Sequence, residues 1–278
     1  MWSLEVALDL DPATREALVE RVRFYRDLGL TEFYRRPVDP ALQARINAEA
    51  DESQTESVPQ TYQLEEPTIP PRKPFPSAPA IADAVPASDR AAAMQLIREE
   101  LGECTRCALH TGRNKLVFGD GSPAARLMFV GEGPGADEDA QGLPFVGKAG
   151  QLLNNMIAAM GLKREEVYIA NVVKCRPPGN RVPEPEEGAT CTPFLFRQID
   201  VVRPEVLVAL GATAATWLLG TRQPLAGLRG RIHAVRGTKL IVTYHPAYLL
   251  RDPRQKKEAW ADLQIAMKEL GLKPPAKG

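Results

Sequence analysis

The 278-residue chain lacks any run of about 18 uncharged apolar residues, the length a helix needs to cross a bilayer, so no membrane span is expected. Its first residues, Met1-Trp-Ser-Leu-Glu5, carry neither a basic stretch nor an apolar core. No secretory leader is therefore expected, and a cytoplasmic protein is predicted. Cysteine is scarce, four residues in all. In a reducing compartment so few thiols serve metal binding or catalysis rather than disulfides. Net charge is absent as well, yet the zero hides an asymmetry. Residues 1–88 hold 15 acidic and 9 basic side chains, and since the whole chain has 35 of each, the remainder holds 20 and 26. A modestly basic C-terminal part is compatible with a polyanionic partner.

What is present is ordinary for a globular chain: 44% hydrophobic and 25% charged residues, which excludes wholesale disorder. Residues 1–50 read as a small helical segment, with Leu18, Val22, Tyr25 and Leu28 at roughly helical spacing and Gly29 as a stop. Residues 51–87 hold eight prolines among Ser, Glu and Gln, with no apolar period. Such a segment cannot offset its chain entropy and is expected to be a disordered linker. Residues 88–278 remain, ample for one core.

That part alternates between strand and helix. Ser88-Asp89 precede a helix whose Met94, Ile97 and Leu101 share a face. Short runs at 126–130, 167–173, 206–210 and 240–244 are β-branched or aromatic without alternation, as in strands buried on both faces. Helical patterns at 150–160, 186–202 and 213–219 lie between them, and a last helix is expected from Asp252-Pro253 to Leu270. The prediction is a three-layer α/β/α domain with a short, mainly parallel central sheet. Ligands of such sheets sit beyond the C-terminal strand ends, where this sequence carries Gly131–Gly135, Asn171–Arg176, Gly211 and His245-Pro246.

The cysteines form one C-x2-C pair, Cys104 and Cys107, with Cys175 and Cys191 further on. A thioredoxin-like redox pair wants a strand just before it, and here a helix precedes. Four thiolates suit a tetrahedral zinc site or an iron–sulfur cluster. Zinc ribbons usually bring two close pairs, so the single pair favours the cluster. Gly131-Glu132-Gly133-Pro134-Gly135 is a strand-to-helix turn that lets backbone N–H groups approach a ligand, yet it matches neither G-x-G-x-x-G nor a phosphate loop. The three carboxylates that follow, Asp137–Asp139, read as a solvated helix start favoured by the dipole. Phe145, between Pro144 and Gly147, is a candidate stacking platform. The Asn171 amide can donate and accept together, as a base edge demands. His245 follows a strand and opens a loop with apolar tips and Arg251.

Together these stretches, Gly131–Asp139, Gly142–Leu153, Asn171–Pro178 and His245–Arg251, with the four cysteines, resemble the family 4 uracil-DNA glycosylases, the iron–sulfur members of their superfamily. The resemblance spans roughly residues 89–271. It implies a DNA-repair enzyme that flips uracil out of uracil-containing DNA and hydrolyses its glycosidic bond, leaving an abasic site. By similarity, His245 stabilises charge developing on uracil O2, and Asn171 pairs with N3–H and O4. Phe145 stacks on the base, while Glu132, Gly133 and Pro134 shape the pocket. Leu249 fills the gap left by the flipped base. Lys148 and Arg251 touch phosphates, with Ala149, Gly150 and Pro246 beside them on the DNA side. Cys104, Cys107, Cys175 and Cys191 hold a [4Fe-4S] cluster, structural zinc being the alternative. Related enzymes place Asp or Asn where this chain has Gly133, so the group that positions water is not carried over.

The competing reading is a uracil-DNA binding or damage-sensing module without turnover. A subgroup that traps DNA through a histidine shortly after the Asn motif is disfavoured, because Pro177–Arg181 contains none. A zinc deaminase fails for want of an H-x-E. A monomer is expected, with residues 1–50 as the candidate docking segment for a protein partner.

Overall fold

The computed structural model describes residues 85–273, all within the compact unit Pro70–Gly278. The expectations for residues 1–50, and all but the last three residues of the predicted linker, lie outside the described residues. No described helix is long and apolar enough to cross a membrane.

After a 3₁₀ turn at Ala87–Asp89, α1 runs Arg90–Leu101 and buries Met94, Ile97 and Leu101 on the expected face. The order is then β1 Asp120–Gly121, β2 Leu127–Gly131, α2 Ala136–Gln141, α3 Lys148–Ala159 and β3 Tyr168–Asn171. There follow α4 Pro185–Val202, β4 Val206–Leu210, α5 Ala212–Leu219, α6 Leu225–Leu228, β5 Ile232–Val235 and β6 Thr238–Thr243. The chain ends with α7 Pro246–Arg251 and α8 Lys256–Leu270. Asp252-Pro253 does not begin the last helix directly: Pro253–Gln255 make one 3₁₀ turn first.

The sheet order is β1-β3-β2-β4-β6-β5. The four inner strands pair in parallel, as their all-buried sequences predict. β1 and β5 are antiparallel edges. Alternate residues of one strand feed opposite cores. Met128 and Val130 face α1, α4 and α5, whereas Leu127 and Phe129 face α3 and α8. Both faces are thus covered, and this is the three-layer α/β/α arrangement.

Candidate active site

The C-terminal ends of β2, β3 and β6 open into one cleft of roughly 450 Å³. β3 ends on Asn171, which is only 1% exposed. Backbone N–H groups of Val172 and Val173 donate to the carbonyls of Gly131 (2.9 Å) and Glu132 (3.1 Å), holding the two motif loops side by side. The buried Lys174 Nζ donates to the Asn171 carbonyl at 2.9 Å and to Gln198 Oε1 at 2.6 Å. Desolvation lowers this ammonium to about 8. The side-chain Oδ1 of Asn171 remains buried without a hydrogen-bond partner among the described residues. An unsatisfied buried acceptor costs ~1–3 kcal/mol. Gly131 makes the room, since a Cβ there would stand 2.4 Å from Asn171 Oδ1 and 2.6 Å from Phe145 Cζ.

His245 caps α7, and its Nδ1 accepts the Ala247 N–H at 3.1 Å. With Nδ1 committed as acceptor, the neutral ring carries its hydrogen on Nε2. Burial, reinforced by the Arg251 charge, lowers the imidazole to about 4, so it is neutral at physiological pH. Its ring centroid lies 5.6 Å from that of Phe145, tilted by 33°. Phe145 has φ 53°, a left-handed conformation that a bulky residue adopts only when its surroundings impose it.

The carboxylates at the start of α2 are not all solvated. Asp139 is fully buried and accepts from Asn114 N (2.8 Å) and Asn114 Nδ2 (2.6 Å). Glu138 lines the cleft and accepts from Gly135 N at 3.1 Å, Val146 N at 2.9 Å and Gly147 N at 3.1 Å, tying the glycine turn to the Phe145 loop. Only Asp137 is exposed. The dipole argument holds for the helix start, but the backbone amides of two other loops consume the charges.

Of the remaining expected residues, Glu132, Gly133, Pro134, Ala149 and Arg251 line the cleft. A Cβ on Gly133 would stand 2.8 Å from Val173 Cγ2, so a larger residue would crowd the segment that follows β3. Lys148 is exposed at the start of α3, outside the lining. Gly150 is buried beneath the Phe145 carbonyl, and Pro246 is buried in the first turn of α7. Leu249 is not at the surface: it packs among Leu152, Met156, Trp260 and Leu263, and the apolar side chain α7 gives to solvent is Leu250. The cleft also takes in Pro177, Asn180, Arg181, Val182, Ala247 and Tyr248, which the sequence did not single out. A capping-box spacing from Gly135 to Glu138 was the signal available for Glu138. Arg181 and Val182 line the cleft, with Arg181 forked onto Glu187 at 2.8 and 2.7 Å.

Cys104 and Cys107 follow α1, Cys175 lies just past β3 and Cys191 is in α4, and all four line one small cavity with Leu101, Lys174 and Phe194. None is in a disulfide. Arg106 Nη1 donates to Cys104 Sγ, Arg113 Nη1 to Cys175 Sγ and the Lys174 N–H to Cys191 Sγ, each at 3.3 Å. Burial pushes the Cys191 thiol up to about 12 and raises Cys175. No three His, Cys, Asp or Glu side chains among the described residues converge on a single-ion site. Four sulfurs around a common void, met by N–H donors and guanidinium groups, fit a thiolate-held metal group.

A sequence model of the Uracil DNA glycosylase superfamily matches residues 118–264, which include the cleft from Glu132 to Arg251. A "Type-4 uracil-DNA glycosylase" of Thermotoga maritima is 49% identical over 161 residues, 57% of this chain and 84% of that protein. One from Archaeoglobus fulgidus is 41% identical over 187 residues, covering 64% and 94%. A "Type-5 uracil-DNA glycosylase" of Pyrobaculum aerophilum is 33% identical over 145 residues, covering 45% and 62%. With all six strands of the sheet, the orphaned amide and the neutral histidine inside the matched span, the chain belongs to the uracil DNA glycosylase superfamily.

Proposed function

We propose that the protein excises uracil from DNA by hydrolysis of the N-glycosidic bond. The observation that carries this reading is the buried, unpartnered Oδ1 of Asn171 beside a histidine whose free ring nitrogen is a donor. Uracil's N3–H supplies the missing donor, and the amide's NH₂ faces O4. Cytosine has an acceptor at N3 and a donor at C4, so it leaves the amide mismatched on both atoms. Rejection by unpaired buried polar groups is strong discrimination. Phe145 stacks on the extruded base, and base–aromatic stacking is worth about 1–3 kcal/mol.

Departure of uracil leaves negative charge on N1 and O2 as the sugar becomes oxocarbenium-like. The Nε2–H of His245 is a preorganised donor for O2, stabilising charge only as it develops. A neutral imidazole suits that role, because it polarises without surrendering a proton. Glu138 accepts three backbone amides, from Gly135, Val146 and Gly147, so its part is to hold the Gly135 and Phe145 loops. Arg251 and Lys148 neutralise phosphates. Leu250, 44% exposed on α7, takes the gap-filling part first expected of Leu249.

Cys104, Cys107, Cys175 and Cys191 would hold a [4Fe-4S] cluster, which would tie the segment after α1 and helix α4 to the strand bearing Asn171. When bound, the cluster contributes four metal–thiolate bonds that cross-link these segments. The test of function is incubation with uracil-containing and matched thymine-containing oligonucleotides, scoring abasic sites and free uracil. Turnover on uracil alone is expected. A stoichiometric complex without released uracil would refute it and leave the binding-module reading.

A further inference from the structure

Arg164 lies outside the cleft, in the 3₁₀ turn Arg164–Glu166 between α3 and β3. Its side chain is 23% exposed, and its nitrogens are spent in an unusual way. Nη2 donates to the Pro144 carbonyl at 2.5 Å, and Nη1 donates to the Phe145 carbonyl at 3.1 Å and to Asn154 Oδ1 at 2.8 Å. Nε faces Asp120 of β1 at 3.4 Å. One guanidinium thus takes two consecutive carbonyls of the platform loop and is braced against α3 and β1.

We propose that Arg164 is a positioning residue for base recognition, which holds Phe145 in its left-handed conformation so that the ring faces the base. The inference rests on the reading of Phe145 as the stacking platform. A phenylalanine at φ 53° relaxes into the ordinary region unless both flanks are held. Glu138 holds the far flank through the Val146 and Gly147 amides. Arg164 holds the near flank, its forked, planar guanidinium meeting two carbonyls while reaching Asn154. Gly150 completes the seat, because a Cβ there would lie 1.9 Å from the Phe145 carbonyl oxygen. The loop is therefore gripped by a cation at its carbonyls and an anion at its amides, and the ring between them has little freedom.

The test is a double-mutant cycle in the full-length protein with Phe145→Ala, Arg164→Lys, Arg164→Ala and the combinations, read as single-turnover excision rate. Lysine keeps the charge but not the fork, and it guards against loss of folding in the alanine variant. Phe145→Ala and Arg164→Lys are each expected to lose roughly 5- to 150-fold, the worth of one stacking contact. The double variant should be no worse than the poorer single one, since removing the ring leaves nothing to position. Affinity for duplex DNA carrying a tetrahydrofuran abasic site should be unchanged, because that probe has no base to stack. Methylguanidine should restore part of the rate to Arg164→Ala but none when Phe145 is also alanine. Losses that multiply, or abasic-site affinity that falls in step with rate, would overturn the proposal. If Phe145→Ala alone is silent, the platform reading fails first and Arg164 falls with it.

Discussion

At the scale of single residues the sequence was most informative where a polar group stands alone at a strand end. Asn171 and His245 were readable because an amide and an imidazole there have few structural duties. Their states were not readable. The tautomer of His245 follows from one backbone amide, that of Ala247, and its neutrality from burial. Protonation would also set an Nδ1 hydrogen against that amide. The sign is then fixed. Between about 4 and the usual 6.5 the folded chain binds fewer protons at this site than the unfolded one. His245 therefore costs nothing above 6.5, destabilises progressively as pH falls to about 4, and adds no further penalty below. Single-turnover excision should accordingly show no inflection near 6.5, with any loss due to this histidine centred near 4. A rate profile breaking at 6.5 would mean a solvated ring. His245→Ala should lower the rate by about 10²–10³ while changing binding little, the usual cost of one donor to a developing anion. Asn171→Asp should lose uracil excision by a similar factor or more, because an ionised carboxylate has no hydrogen for O4. Equal small losses in rate and binding for both variants would remove them from contact with the base.

At the scale of elements, burial decided what could be read. The four inner strands announced themselves because both faces are apolar, whereas β1 is two residues long and β5 alternates exposed and half-buried positions. The β5–β6 turn places Arg236 (φ 48°) and Gly237 (φ 77°) at its centre, a two-residue hairpin lacking the usual Asn-Gly cue. The short helix α7 was missed for lack of length, and α2 was read only as a helix start at Asp137–Asp139. For α7 that had a consequence. Read as a loop, His245–Arg251 offers Leu249 and Leu250 equally; wound as a helix, it turns Leu249 inward and Leu250 outward. The two leucines should separate cleanly in experiment. Leu249→Ala is expected to cost roughly 2–5 kcal/mol of stability as a core truncation, measured by denaturant unfolding. Leu250→Ala should leave stability within about 0.5 kcal/mol and reduce excision from duplex DNA more than from single strands, where no gap needs filling. The opposite pattern would restore Leu249 to the DNA surface.

At the scale of the whole molecule, the sheet explains why residues scattered from 132 to 251 line one cleft. β2 and β3 are parallel neighbours, so their ends deliver the glycine turn and Asn171 together, and β6 brings His245 to the same end of the sheet. Sequence order hides such neighbourhood; Arg181 and Glu138 meet in the cleft lining across more than forty positions. The cysteine cavity sits on the same framework: Leu101 of α1 lines it, and Cys175 lies four residues past Asn171. Protein purified with its metal intact should be brown, with a broad thiolate-to-iron band, and should release iron and sulfide on acid treatment. A colourless, fully active protein carrying one zinc would end the cluster assignment.

Truncation tests where the catalytic unit begins. Every residue assigned a part in excision or metal binding lies between Cys104 and Arg251. The first described helix is nonetheless needed, since Met94, Ile97 and Leu101 are 7%, 3% and 2% exposed in the core against α4. Arg90 fastens its start to the last turn of α4, donating to the Val202 carbonyl at 2.9 Å. A fragment of residues 88–278 keeps that bond and the whole apolar face, and it should retain the excision rate and the brown colour of the full chain. A fragment of residues 103–278 removes three buried side chains together with the Leu101 wall of the cysteine cavity. Each such loss costs about 2–5 kcal/mol, and together they are comparable to the roughly 5–15 kcal/mol that holds a typical domain folded. That shorter fragment should fail to fold or to keep its metal. If instead the 88–278 fragment is inactive, residues before 88 belong to the catalytic unit and the boundary drawn from proline content is wrong.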